Sequence, residues 1–489
     1  MEKDQHSDVN IKRFATTVTL AYVLLVVLFY FLAGDQLHYR QSRGNFSQPP
    51  VESGTVELVQ GAVVEQTFSV KIQRLQSISV QWGTYYRANI GTVTMELYDL
   101  RDNSLVMAQN FNAADIPEGG TTTLVAESAV EMLYEAPLLL RIYSDSPPGA
   151  AASPLMSFQT DEIDEADEMA EYFSLSLNGV PVEGVLCFSA FGEDYIWTGL
   201  HYWEFAAGFG AVLALTVFSV WLRYKRGKHS HVVNALAAVR KYRFLIRQLV
   251  SRDFKIKYKR SFLGVFWSFL HPLLVMSVQY VVFSTIFKND VANFAVYLLI
   301  GVVSFNFFSE SCGMALTAIL GNYGLITKVY VPKYIYPLTR VMSSVVNLSI
   351  SLIPLILMSL LTGVRFQKSA PLSLYFFGCL IIFSLGLGLL LSASMVFFRD
   401  TQFLWGVASM IWTYATPIFY PETILPDNFR FILIINPLYY FIKNIRICIL
   451  DGISPEPFVY IQCMLIAAGM LLAGALVFKK TQDKFVLYL

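Results

Sequence analysis

The sequence predicts a polytopic α-helical membrane protein of about eight spans, two N-terminal and six in a C-terminal core, with an extracytoplasmic β-sandwich inserted between the first two. Three observations carry this. The 489 residues are 55% hydrophobic and only 15% charged, against about 25% charged in soluble domains. Runs of about twenty apolar residues recur, each long enough for roughly 30 Å of hydrocarbon. Between residues 51 and 194 the pattern changes to short alternating runs with turn residues between them.

Charge orients these pieces. From Arg223 to Arg260 there are 13 Lys or Arg residues against a single acid, Asp253. Such a stretch stays on the cytoplasmic side, so residues 223–260 are read as cytosolic. Between Asp35 and Thr198 there are 23 acids and 7 bases, a balance of −16, while the remainder carries 13 acids and 29 bases. An acidic extracytoplasmic domain is thereby segregated from basic, cytosol-facing segments.

A cytoplasmic N-terminus (1–14) precedes an anchor at 15–34. Lys12 and Arg13 before it are compatible with a signal peptide, but no small-x-small cleavage site closes the run, so an uncleaved anchor is expected. Residues 35–197 form the β-domain, with strands at Val56–Val59, Phe68–Ile72, Ile78–Trp82, Val93–Tyr98 and Leu138–Tyr143. A second span at 200–222 runs outside to inside, because Arg223, Lys225, Arg226 and Lys228 follow it. Tyr242, Ile246, Leu249, Val250 and Phe254 make the stripe of an amphipathic helix expected to lie along the inner leaflet. Its other faces carry Arg247, Arg252, Lys255 and Lys257.

The core at 262–478 reads as spans near 262–287, 294–320, 341–361, 373–398, 403–420 and 457–478, followed by a cytoplasmic C-terminus (479–489). Residues 421–455 hold Pro421, Pro426, Asn436-Pro437 and Asp451-Gly452, too many breaks for one span; a re-entrant pair of short helices on the outer side is expected.

Cysteine usage excludes a disulfide framework: Cys187 is alone in the acidic domain. No G-x-x-x-x-G-K-[ST] loop occurs, so the chain has no phosphate-binding loop of its own. A membrane glycosyltransferase or acyltransferase is the rival class; against it, no D-x-D pair and no intramembrane His–acid pair is present.

The C-terminal half resembles the permeases of type-2 ATP-binding-cassette exporters of bacterial polysaccharide. The likeness covers roughly residues 245–489 and rests on pieces in a fixed order: Ser251-Arg-Asp-Phe-Lys-Ile-Lys-Tyr-Lys-Arg-Ser-Phe-Leu-Gly-Val-Phe-Trp, Phe305-Asn-Phe-Phe-Ser-Glu-Ser, Gly324-Leu-Ile-Thr-Lys-Val-Tyr-Val-Pro-Lys, Phe398-Arg-Asp, Thr416-Pro-Ile-Phe-Tyr-Pro and Asn436-Pro-Leu. The first two spans and the β-domain depart from that family's six-span pattern. The resemblance implies a homodimer in the cytoplasmic membrane moving an undecaprenyl-linked or similar glycan of O-antigen, capsule or teichoic acid type. ATP and Mg would sit on a separate ATPase subunit, with no cofactor, metal or nucleic acid on this chain. An exporter of another amphipathic lipid or a drug remains open within the class. The 321–337 loop, with Leu325, Ile326, Lys328, Val329 and Tyr330, resembles the coupling helix that docks on the ATPase.

Glu310 is an acid deep in a span, about sixteen residues from the outer end of its helix. Two readings stand: a gate in the export path, or a packing carboxyl paired with Arg399 or Lys328. Phe305, Phe308, Trp412 and Tyr414 are candidate path-lining rings, stacking on sugar faces or packing between helices. His271-Pro272 is expected to kink its span rather than bind metal. In the β-domain, Trp82, Tyr85, Tyr86 and Asn89 stand together either as a glycan-binding surface or as a core strand and its turn. The seven acids of residues 161–171 lack the order of a calcium loop and are expected to be solvated.

Overall fold

The computed structural model describes residues 11–45, 53–54, 56–131, 135–157, 170–225, 240–259, 264–286, 293–328, 331–364 and 366–488. The chain divides into two units, one of residues up to Leu37 together with His201–Leu489, the other His38–Leu200.

The helical unit holds α1 (Ile11–Ala33), α2 (Tyr202–Lys225), α3 (Arg243–Tyr258), α4 (Phe266–Ile286), α5 (Phe294–Leu316), α6 (Ile335–Leu361), α7 (Ser373–Phe397), α8 (Thr401–Ala415), α9 (Pro437–Arg446) and α10 (Pro457–Thr481). Seven of the described helices are long and apolar enough to cross a membrane. The fold is a multi-pass helical membrane protein carrying a β-domain. The span expected at 403–420 is instead the 15-residue α8. Its ~22 Å of rise falls short of a bilayer. Thr416 is extended, as a residue before Pro417 must be, and this ends the helix. Conversely α6 starts at Ile335 rather than near Val341, because Pro337 sits in its first turn, where proline is tolerated.

Close packing of α7 on α10 depends on glycine. A Cβ on Gly474 would lie 1.9 Å from the carbonyl oxygen of Gly386. In lipid, small residues of this kind let two backbones approach, since no hydrophobic force draws helices together there. The peripheral pair α1 and α2 is joined by tyrosines: Tyr22 donates to the Ala206 carbonyl (2.5 Å) and Tyr202 to the Val26 carbonyl (2.7 Å).

The β-unit contains β1 (Tyr39–Asn45), β2 (Ser53–Gly54), β3 (Val63–Val70), β4 (Arg74–Gly83), β5 (Thr92–Asp99), β6 (Ser104–Asn112), β7 (Thr121–Glu131), β8 (Pro137–Ser144), β9 (Ser153–Ser157), β10 (Ala170–Leu177), β11 (Val180–Val182), β12 (Val185–Leu186) and β13 (Phe188–Tyr195). One sheet runs β1-β13-β4-β9-β12, with β7 also on β4 and β2 on β9; the other runs β11-β10-β3-β8-β5-β6. Alternation along β5 and β8 points every second residue into a common core that includes Phe68, Trp82, Leu97, Leu140 and Phe188. The first and last strands pair in register, Tyr39 opposite Tyr195, so the unit begins and ends at one place. That is the geometry an insertion between two consecutive spans requires.

Of the residues singled out above, Val329, Tyr330 and most of the acidic run (161–169) lie outside the described residues.

Candidate functional site

The site is built where α3 meets α5 and α6. The apolar stripe of α3 does not lie free along a membrane surface. Leu249 is buried in a small core with Ala318, Ile319, Ile335, Tyr336 and Phe485, and Leu245 and Ile246 pack against it. Docking of that stripe turns the next turn of α3 onto a cavity of about 740 Å³, lined by Arg252, Asp253, Lys257, Glu310, Arg340 and Asn347 among others.

Two charged groups span this cavity. Asp253 is almost wholly buried and its Oδ1 receives Arg252 Nη2 (3.1 Å) from its own helix and Arg340 Nη1 (3.0 Å) from α6. Arg252 also donates to Asn322 Oδ1 (3.2 Å), which ties α3 to the segment after α5. Glu310 Oε1 receives Lys257 Nζ (2.8 Å) and Asn347 Nδ2 (2.6 Å). Tyr258 donates to Asn347 Oδ1 (3.2 Å) and is also bonded to Ser268 of α4. A continuous polar chain therefore joins α3, α5, α6 and α4. Glu310 pairs with Lys257, not with Arg399 or Lys328 as weighed from the sequence. The helical register that places Lys257 over Glu310 could be found only once α3 had docked. Arg340 was missed in the sequence; its signal was a lone cation two turns into an apolar helix.

Among the described residues, Asp253 Oδ2 and Arg340 Nε are buried without a hydrogen-bond partner. Buried charges so incompletely paired are costly. Of the four α3 cations expected at an interface, Arg252 and Lys257 are engaged here, whereas Arg247 and Lys255 are exposed.

The 321–337 segment forms a turn (Leu320–Asn322) and one helical turn, Tyr323–Ile326. Leu325 and Ile326 pack inward toward the same small core as α3, so they are not the outward face. Tyr323, Gly324, Thr327 and Lys328 are exposed. Farther along, Lys333 Nζ donates to the Gln482 carbonyl (2.6 Å) beside Phe485. The turns at residues 320–326, α3 and the chain's last turns thus share one core.

The aromatic candidates separate. Phe308 is wholly buried against Trp405, Trp412 and Phe383 with centroids 5.1–6.2 Å apart, and Phe305 is nearly buried. Trp412 donates to Asn436 Oδ1 (2.8 Å), and Asn436 caps α9 by accepting from Leu438 N. Phe305 and Phe308 are enclosed by these contacts, whereas Trp412 is half-buried. Tyr414 is different: it lies 67% exposed on the α8 face that also presents Phe403, Val407 and Met410. The fully buried Arg446, overlooked in the sequence, donates to the carbonyls of Pro417 (2.7 Å), Ile418 (3.1 Å) and Tyr297 (3.2 Å). Its guanidinium stacks 3.4 Å from the Tyr297 ring and pins the break after α8 to the start of α5.

In the β-unit, Trp82 is wholly buried and donates to Thr122 Oγ1 (2.7 Å). Asn89 is buried as well. A ring or amide enclosed by its own core cannot meet a glycan, so only Tyr85 and Tyr86 of that cluster remain at the surface. Among the described residues no group of His, Cys, Asp and Glu is arranged to hold a metal ion.

Residues 245–450, which include most of α3, the cavity and α9, match the ABC-2 type transporter family. That match lies wholly within the helical unit. The chain is 28% identical over 250 residues to the O-antigen export system permease protein RfbA of Myxococcus xanthus, an alignment covering 50% of this chain and 95% of that relative. It is 26% identical over 243 residues to an O-antigen export system permease protein RfbA of Klebsiella pneumoniae, covering 49% of this chain and 93% of the relative. A second Klebsiella pneumoniae protein of that name is similar to the same extent, 26% over 244 residues. About half of this chain thus aligns with nearly the whole length of each relative, and the first two spans and the β-unit stand outside residues 245–450.

Proposed function

We propose that this chain is the permease subunit of an ATP-driven exporter that carries a lipid-linked polysaccharide across the bacterial cytoplasmic membrane. The observation that carries the reading is that about half of the chain aligns with 93–95% of the length of O-antigen export permeases. On this reading ATP is hydrolysed by a separate subunit, and two copies of this chain enclose the path. The basic α3 side faces the cytosol, as do both termini, and the acidic β-unit faces outward, in keeping with the charge bias of the sequence.

The mechanism follows from the polar chain. The exposed face of Tyr323, Gly324, Thr327 and Lys328 receives the ATPase, and the core shared with α3 makes the coupling segment and α3 move as one. Displacement of α3 then acts on α5 through Lys257–Glu310 and on α6 through Asp253–Arg340. Two contacts to two different spans convert one push into a relative movement of helices, which is what alternating access needs.

The deciding experiment reconstitutes the chain with its ATPase partner in inverted vesicles loaded from outside with radiolabelled lipid-linked glycan. ATP-dependent protection of the label from an added glycosidase is expected. ATP-stimulated movement of short-chain phospholipid with no movement of glycan would overturn the reading.

A further inference from the structure

Tyr85 and Tyr86 are consecutive non-glycine residues in the left-handed region, at φ 55° and 52°. Each such residue is strained, and a pair of bulky ones persists only where the surroundings over-determine it. The determinant is Glu118. Its Oε2 accepts from Thr84 N (2.6 Å), Thr84 Oγ1 (2.5 Å) and Tyr86 N (3.3 Å). The Glu118 turn is itself locked to β4 by Trp82 N to the Gly120 carbonyl (2.9 Å) and Gly119 N to the Trp82 carbonyl (2.9 Å). Arg87 is fixed by Glu57 and the Ala151 carbonyl, and its guanidinium lies 4.9 Å from the Tyr85 ring centroid.

All of this holds two rings out in water: Tyr85 is 50% and Tyr86 91% exposed. Tyr85 has the Arg87 guanidinium over its ring, but folding gains nothing from the Tyr86 ring in its strained backbone, so a ligand is the remaining beneficiary. Two apolar faces flanked by a planar cation and by a carboxylate fit a pyranose. The rings take its C–H faces, Arg87 takes an oxygen, and the Glu118 carboxylate takes a hydroxyl. The charge of the unit narrows the class. With 23 acids against 7 bases between Asp35 and Thr198, an anionic polymer meets repulsion that a neutral one does not.

We infer that the Tyr85–Tyr86 loop is a binding site for a neutral glycan chain, the strained pair being the platform. This rests on the polysaccharide reading of the chain and adds the outer subsite and the charge class of its ligand.

The test uses the full chain in nanodiscs with mannose, glucose and galactose hexaoses as neutral probes and polygalacturonate as the acidic one, binding being read by calorimetry. At least one neutral hexaose is expected to bind. Tyr86→Gly should weaken it about fivefold, the worth of one stacked ring. The same substitution relieves the left-handed strain, so the unfolding midpoint of the β-unit should rise by about 2–4 °C. A gain in stability with a loss of binding is the signature of a strained functional ring. Unchanged binding in Tyr86→Gly, a lowered midpoint, tighter binding of polygalacturonate, or no binding of any neutral hexaose overturns the inference. ATP-driven export that persists in such a case leaves the exporter reading intact, whereas absence of glycan export from reconstituted vesicles removes that reading instead.

Discussion

Glu310 shares one oxygen between Lys257 and Asn347 at the edge of the inner cavity, with its side chain 29% exposed. An ion pair so placed is worth about 1 kcal/mol, small against folding but enough to bias two helix arrangements. Glu310→Lys should abolish ATP-dependent export without loss of folded protein, and Lys257→Glu on top of it should restore part of the activity. Failure of the swap to restore any export, in a double variant that folds, would assign the two residues separate roles. Arg446 is a stability residue by contrast. Its buried guanidinium donates to three carbonyls and a Cβ on Gly301 would stand 2.9 Å from its Nη2. Replacing Arg446 by Met removes three hydrogen bonds from a buried guanidinium and leaves the Ile418 carbonyl without its donor, at roughly 1–3 kcal/mol, so a fall in the midpoint of thermal unfolding in detergent is expected. Gly301→Val should produce a similar fall by displacing the guanidinium, and an unchanged midpoint in both variants would refute the pinning.

Helix contacts carry the next level of argument. The α7–α10 crossing has its two backbones together at Gly386 and Gly474, and any side chain at position 474 forces them apart. Gly474→Leu should therefore lower the yield of monodisperse protein, whereas Gly469→Leu on the same helix, where a Cβ meets nothing, should not. The coupling turn gives a second expectation at this scale. Since Leu325 and Ile326 face the core and Tyr323 and Lys328 face outward, Tyr323→Asp with Lys328→Glu should weaken co-purification with the ATPase while leaving the unfolding midpoint unchanged. Leu325→Asp, which acts on the core itself, should lower both. Intact association in the Tyr323/Lys328 variant would place the docking face elsewhere.

Sidedness belongs to the whole molecule. The native cysteines are all buried, so labelling of introduced ones stands on a low background. A cysteine at Tyr86 should react with an impermeant maleimide in intact cells, and one at Lys255 only after permeabilisation. The reverse pattern would invert the proposed topology.

Much of this architecture is legible in the chain because its causes are local. Membrane character, the strands read at Ile78–Trp82, Val93–Tyr98 and Leu138–Tyr143 and the helical stripe of α3 follow from composition and periodicity, properties a segment has without its neighbours, whereas Val56–Val59, read as a strand, forms none. The end of α8 at Thr416-Pro417 and the breaks of 421–455 are local too, since proline acts on the residue beside it. Partners and burial are decided by what lies across the fold. Trp82 and Tyr86 are near neighbours in sequence, yet one is enclosed by two sheets and the other is held in water by a carboxylate 32 residues away. Phe308 and Tyr414 read alike as aromatic residues in spans, and only packing makes one core and the other surface. Glu310 could be recognised as an acid in an apolar helix, but its partner was set by the docking of α3, a contact between residues 53 positions apart that no local pattern encodes.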